Sequence, residues 1–254
     1  MRQGVPAIVN PYDLFALEEA LRLKDQFGGR VTMLCMGPPQ AEDALRKCIS
    51  FGATDAVLVT DRAFAGADTL ATSYALAAAI RQIGREQSVD LVFTGKQTID
   101  GDTAQVGPGI AKRLGLLQLT YVSKITAVDP LARTLDAERR SEGGVQILRT
   151  RLPCLITMLE ATNQIRRGAM TDALRAARAA IVKWSAQDAG VEDISKCGLR
   201  GSPTIVKRVF APSARSEKAT LVEAGDQPAE ALIDAIFKRQ PSLEAELETL
   251  ARGY

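Results

Sequence analysis

The stretch of this 254-residue chain best equipped for chemistry runs Gly95-Lys96-Gln97-Thr98-Ile99-Asp100-Gly101-Asp102-Thr103-Ala104-Gln105-Val106-Gly107-Pro108. It follows an apolar run, Val89 to Thr94, and leads into a helical pattern carrying Val106 and Ile110. In an open α/β sheet that is the carboxyl end of a strand, where ligands bind. Gly95 and Gly101 let a backbone approach a ligand closely. Thr103 and Gln105 offer hydrogen bonds, and N–H groups at a helix start can hold phosphate. Asp100 and Asp102 oppose phosphate unless they turn to a ribose hydroxyl or to the helix cap. The stretch is neither GxxxxGK[ST] nor GxGxxG. From the residues alone, a nucleotide loop and a plain strand-to-helix turn both stay open.

Other chemistry is narrowed by what the chain lacks. It contains no histidine, which excludes Ser-His-Asp and Cys-His catalysis and histidine-ligated metals. Any reaction must come from carboxylates, lysine or a bound cofactor. Cys35, Cys48, Cys154 and Cys197 are widely spaced and form no CxxC pair. Such thiols behave as small buried hydrophobes and point to a reducing cytoplasm. No metal site and no catalytic side chain is expected.

The elements that must position the loop alternate. Asn10-Pro11-Tyr12-Asp13 starts a helix, with Asn10 as N-cap and Pro11 in the first turn. Leu14, Leu17 and Leu21 line one face before Gly28-Gly29 stops it. Val31–Met36, Ala56–Val59 and Val89–Thr94 are apolar strands. Ala41, Leu45, Cys48 and Ile49 line a second helix, and Asp68 to Gly84 forms a third. Strands alternating with helices predict a parallel sheet covered on both sides. After Leu119 the pattern changes to strands Thr120–Ala127, Arg133–Ser141 and Val145–Arg151, the last two joined at Gly143-Gly144. A strand Leu155–Leu159 and a basic helix Met170–Ala180 follow. The fold class predicted is α/β: a doubly wound, mostly parallel sheet of adenine-nucleotide-binding type with an added antiparallel hairpin and an extended C-terminal arm. The expected division is residues 1–184 for the nucleotide-binding domain and 185–254 for an arm, in which helix Pro228–Arg239 carries Leu232, Ile233, Ile236 and Phe237. One feature is unusual. No strand precedes the first helix, whereas a doubly wound sheet begins with a strand near its middle. Either another strand takes that place or the N-terminus is incomplete.

Charge and hydropathy add exclusions. Basic and acidic residues nearly balance, 32 against 30, for a net +2, which gives no strong field to hold nucleic acid or a membrane surface. No apolar run approaches the ~18–20 residues of a membrane span. Arg166, Arg167, Arg175 and Arg178 cluster around one short helix, as a solvated face or as a dock for an acidic partner. Trp184 reads as a packing residue.

Several words of the chain, in order, carry a resemblance. They are Val9-Asn10-Pro11-Tyr12-Asp13-Leu14, Asp61 through Thr69, Gly95 through Pro108, Glu142-Gly143-Gly144, Leu152-Pro153 and Gly198-Leu199-Arg200-Gly201-Ser202-Pro203-Thr204. Together they resemble electron transfer flavoprotein beta subunits, from the first residues to about Pro212. The resemblance implies a heterodimer with a flavin-carrying alpha subunit. It implies that the beta subunit holds FAD or, in another branch, AMP as a structural ligand. Ile99 to Pro108, Gly101 where the AMP branch carries a third acidic residue, the late Trp184 and the Gly198–Thr204 word resemble the FAD branch. That branch includes nitrogen-fixation-associated and electron-bifurcating members that take electrons from NADH.

Carried over position by position, the implied nucleotide contacts are Asn10, Pro11, Tyr12 and Asp13; Met36; and Gly95, Lys96, Gln97, Thr98, Ile99, Asp100, Gly101, Asp102, Thr103, Ala104, Gln105 and Val106. The family has a further contact on a first strand that this sequence lacks. Asn163-Gln164-Ile165-Arg166-Arg167-Gly168 departs from the family's Asn-Glu-Pro-Arg-Tyr, so the identity of the redox partner, a dehydrogenase or another protein, does not carry over. Two alternatives stand beside an FAD-binding electron-transfer subunit. One is an AMP-binding subunit without a redox centre. The other is a stand-alone adenine-nucleotide-binding protein of the stress type.

Overall fold

The computed structural model describes residues 7–208, 210, 221–222 and 227–251. Helix α1, Pro11–Phe27, opens the described fold, and Gly28 ends it at φ 78°. Strand β1 (Thr32–Met36), helix α2 (Glu42–Phe51), strand β2 (Asp55–Val59), helix α3 (Thr69–Glu86), strand β3 (Leu91–Gly95) and helix α4 (Val106–Leu114) then alternate. Strands β4 (Leu117–Asp129), β5 (Thr134–Ser141) and β6 (Gly144–Arg151) form an antiparallel extension. Gly143 and Gly144 sit at φ 83° and 141° in its tight turn, the left-handed geometry that glycine admits. Strand β7 (Cys154–Met158), helix α5 (Met170–Arg178) and a short strand β8 (Val182–Trp184) complete the sheets.

The α/β class and mostly parallel sheet are as expected, and β8 is an addition. The strands make two sheets. One is β1-β2-β8, all parallel; the other is β3-β7-β4-β5-β6, parallel through its first three strands. So β1 and β2 pair in parallel as the alternation predicts, while β3 pairs with β7 and not with either of them. Among the described residues no strand joins the two sheets. Yet the same helices cover both. Ala16 of α1 clusters with Leu91 and Phe93, and Leu17 and Leu21 with Val31 and Met33. On the opposite face Ala75 and Ala79 of α3 join Leu34 and Met36, while Leu76 and Ile80 join Val92. Every residue of β1 is only half-buried, whereas β7 is buried throughout. Parallel strands normally sit wholly inside, so the β1, β3 and β8 edges are incompletely covered parts of this core.

Residues Met1–Val206 form one compact unit and Lys207–Tyr254 another. The expected boundary at 184/185 therefore falls inside the first unit. Ala186, Ala189 and Cys197 are buried in the same cluster as Val57, Val59 and Phe64, with Trp184 packed against it. Burial in this segment comes from scattered small residues without a helical or strand period, which is why the sequence does not set it apart from an arm. In the second unit the expected helix Pro228–Arg239 is present as α6, and a further helix, α7 (Pro241–Ala251), follows and packs with it. Residues 209, 211–220, 223–226 and 252–254 of the expected arm lie outside the described residues.

Candidate functional site

The two motifs far apart in sequence meet at the carboxyl end of β3. Asn10 occupies the N-cap position of α1, but its side chain makes no cap bond. Its amide instead donates to the Gln97 carbonyl at 2.9 Å and to Asp13 Oδ2 at 3.0 Å. The other Asp13 oxygen accepts the Gly95 N–H at 2.6 Å. Tyr12 lies against Gly95 so closely that a Cβ there would come within 2.5 Å of the Tyr12 Cβ. Only glycine permits this approach. Lys96 places its ammonium 5.1 Å from the centre of the Tyr12 ring, a cation–π distance. The same ammonium is 3.3 Å from Glu160 Oε2, an ion pair outside hydrogen-bond geometry. Lys96 is thus held by a carboxylate and a ring.

Beyond Gln97 the loop folds on itself. Gly101 N–H donates to Thr98 Oγ1 at 3.3 Å and Asp102 N–H to the Thr98 carbonyl at 3.0 Å. The Gln97 amide donates to the Asp102 carboxylate, so Asp102 is engaged within the loop and its charge is directed there. Asp102 and Ala104 sit at φ 53° and 55°. Two left-handed non-glycine residues in three are strain of the kind concentrated at ligand sites. Ile99, Asp100, Gly101 and Thr103 are exposed at the tip. Gln105 accepts from Thr69 Oγ1 at 2.8 Å, and Val106 packs with Ile110 and Leu155. Pro11 is exposed in the first turn of α1. Met36 ends β1 but packs in the cluster beneath α3, so it and Val106 are proposed contacts that pack against the core.

Two buried polar atoms have no protein partner here: Asn10 Oδ1 and Thr94 Oγ1. Thr94 precedes Gly95, and its hydroxyl would lie 2.9 Å from a Cβ on Gly107. Buried polar atoms are normally paired. Orphans at the carboxyl end of a strand, beside a strained loop and a helix start, fit a polar ligand such as a nucleotide. The residues that could hold one are Asn10, Thr94, the loop from Gly95 to Gln105 and the backbone at the start of α4. Thr94 and Glu160 were missed from sequence. The signal that could have found them is their place at the ends of adjacent parallel strands β3 and β7.

Around this centre the electrostatics are set by burial. The Asp13 pKa is raised, first by burial, with the bonds from Gly95 and Asn10 opposing. Burial also pushes the Cys35 thiol up to about 11 and the Cys48 thiol up to about 12. Glu160 is lowered, first by its own backbone N–H and then, against burial, by Lys96 and Arg140. Among the described residues no cluster of acidic and cysteine groups could hold a metal ion.

The basic cluster is largely consumed by the fold. Arg166 forks onto Glu18 with Nε and Nη2 at 2.9 and 3.0 Å and reaches Asp25 at 2.9 Å. Arg175 donates to the carbonyls of Ile49, Ala53 and Thr54 at the end of α2. Arg167 and Arg178 remain exposed. The Gly198–Thr204 word has a structural role too. Thr204 and Ser202 bind Asp68, which caps α3 through Leu70 and Ala71, and Gly198 sits at φ 55°.

Comparison with known proteins identifies the family. Residues 1–189 match the electron transfer flavoprotein domain family. Protein FixA of Bradyrhizobium diazoefficiens is 75% identical over 253 residues, 99% of this chain and 88% of that protein. Protein FixA of Azorhizobium caulinodans is also 75% identical, over 100% of this chain and 91% of its own length. The electron transfer flavoprotein subunit beta of Clostridium acetobutylicum is 47% identical over 82% of this chain and 77% of its own. A stand-alone stress-type protein is not what such matches describe. With its domain match covering most of the chain and these relatives covering nearly all of it, the chain belongs to the electron transfer flavoprotein family, on the beta-subunit side.

Proposed function

We propose that this chain is the beta subunit of a heterodimeric electron transfer flavoprotein and that it binds FAD at the loop from Gly95 to Val106. The observation that carries the reading is the clamp between the Asn10–Asp13 turn and Gly95–Gln97, with Asn10 Oδ1 and Thr94 Oγ1 left unpaired beside it. Bound FAD would supply the redox chemistry, taking a hydride from NADH and releasing electrons singly toward the alpha-subunit flavin. The chain itself supplies position. The loop is preformed by its internal hydrogen bonds, with Asp102 and Ala104 held in the left-handed region. The final acceptor would be a partner dehydrogenase or a quinone- or ferredoxin-type protein. Four free cysteines suit a reducing cytoplasm. No described helix is long and apolar enough to cross a membrane.

The second reading, AMP as a structural ligand, rests on the same residues. Nucleotide released from the purified heterodimer separates them. Two FAD per heterodimer support the first reading; one FAD with one AMP replaces it by the second. Absence of any nucleotide beyond the alpha-subunit flavin, with none taken up on addition, rejects both.

A further inference from the structure

We propose that Asp13 is a positioning residue whose ionised carboxylate fastens the nucleotide loop in its binding shape, so that the site is assembled only while Asp13 is deprotonated. This rests on the reading of the Gly95–Val106 loop as the nucleotide site. The argument is donor and acceptor accounting. Asn10 Nδ2 carries two hydrogens; one goes to the Gln97 carbonyl, which can only accept, and the other to Asp13 Oδ2. Asp13 Oδ1 receives the Gly95 N–H at 2.6 Å, a short charge-assisted bond. Both carboxylate oxygens therefore accept, and a proton on either removes one of the two anchors. Rotating the Asn10 amide by half a turn gives no escape. It would set Oδ1 against both Gln97 O and Asp13 Oδ2, three acceptors with no hydrogen among them. The present arrangement also leaves Asn10 Oδ1 buried without a protein partner, held ready for a ligand donor.

The surroundings make the charge a constraint. Part of Asp13's surface stays open, but its carboxylate is packed inside, and burial raises its pKa. The groups that face it are the Cys35 thiol from β1 and the Cys48 thiol from α2, both neutral because burial lifts them to about 11 and about 12. The nearby Lys96 ammonium is engaged by Glu160 from the end of β7 and by the Tyr12 ring. Among the described residues no cation pairs with Asp13. Its charge is held by the Gly95 N–H and the Asn10 amide, the two groups that shape the loop.

The test uses the full chain. Dissociation constants for FAD and for AMP are measured from about pH 3 to 8 for the wild type, Asp13→Asn and the exchange variant Asn10→Asp/Asp13→Asn. Amide hydrogen exchange over residues 95–102 is measured without nucleotide at matched pH. Asp13→Asn presents an NH₂ either to the Gly95 N–H or to the Asn10 NH₂, so it is not conservative here. It should weaken nucleotide binding by about tenfold or more, the scale of a lost hydrogen bond to a charged group. It should also raise exchange and abolish the loss of wild-type affinity as pH falls. The exchange variant restores the anchor to Gly95 but opposes a carboxylate to Gln97 O, so its affinity and protection should fall between the two. If Asp13→Asn binds within about twofold of wild type with unchanged exchange, the proposal is overturned. Should that variant not fold, a flat wild-type affinity across the pH range overturns it equally. If the wild type binds neither nucleotide at any pH, the site reading fails, and the exchange data alone then judge the anchor.

Discussion

Asp13 shows how one side chain can serve the site at the expense of the fold. Its folded pKa is raised above the ordinary 3.8 by burial. In a window starting near that value, the unfolded chain has released a proton that the native state still holds. Stability therefore falls as pH rises through the window, the reverse of a salt-bridged aspartate. Urea titrations at steps from about pH 3 to 7 should show this decline in the wild type and a flatter profile in Asp13→Asn. Equal slopes would mean the carboxylate is solvated in the native protein. Gly101 offers a second test at this scale. A Cβ there would meet only Thr98 Oγ1, at 3.3 Å, and its φ is not left-handed. Gly101→Leu should fold with a nearly unchanged melting temperature yet fail to retain nucleotide, because the new side chain occupies the loop's open side. Full retention of FAD by the folded variant would remove Gly101 from the site.

Among the elements, α1 carries the most roles. Its N-terminus holds the loop, Leu17 and Leu21 cover β1, and its middle turns anchor the segment after β7. Glu18 and Glu19 are only 5% exposed. Glu18 accepts both the fork and the backbone N–H of Arg166, and the Asn163 amide donates to the Phe15 carbonyl at 2.9 Å. Gly168 passes Ser50 so closely that a Cβ would lie 1.8 Å from its carbonyl oxygen. The 163–168 segment that departs from the family pattern is thus bound firmly to α1 and α2. Removing one member of a buried pair strands the other. Arg166→Ala should cost about 3 kcal/mol in chemical denaturation, whereas Arg167→Ala, at an exposed position, should change it by no more than about 0.5 kcal/mol. Similar values for the two would show that the Glu18 pair contributes nothing.

For the whole molecule, two exposed apolar surfaces carry predictions. The β4–β5–β6 extension exposes Val145 and Ile147 on its edge strand, at 65% and 73%. An unpaired apolar edge is a place for another chain. We expect it to meet the alpha subunit. Ile147→Asp should then weaken heterodimer formation in analytical ultracentrifugation while nucleotide binding persists; undiminished association would place the interface elsewhere. The second unit makes its own prediction. Leu232, Ile233 and Ile236 of α6 are between 41% and 49% exposed, and a 12-residue helix is marginal without packing. Deleting residues 213–254 should leave the first unit folded, with its melting transition retained, and reduce heterodimer yield on co-purification. Loss of that transition would make the segment part of the core.

Local chemistry in the sequence determined the helices and strands of the first unit apart from β8. The Asn10-Pro11 start, the Gly28-Gly29 stop, the Gly143-Gly144 turn and the apolar runs of β2 and β7 each depend on neighbours a few residues away. The loop from Gly95 was legible for the same reason: glycine spacing after a strand reads out locally. Only the tertiary structure decided that Asn10 abandons its capping role for Gln97, 87 residues away, that Asp13 holds Gly95, and that Lys96 is taken by Glu160. It also decided that Arg166 and Arg175 are anchors and that residues 185–206 belong to the compact unit. Those outcomes turn on which donor finds which acceptor once the chain is packed. Pairing across such distances leaves no periodic trace in the sequence, because hydrogen-bond satisfaction depends on proximity in space and not on spacing along the chain.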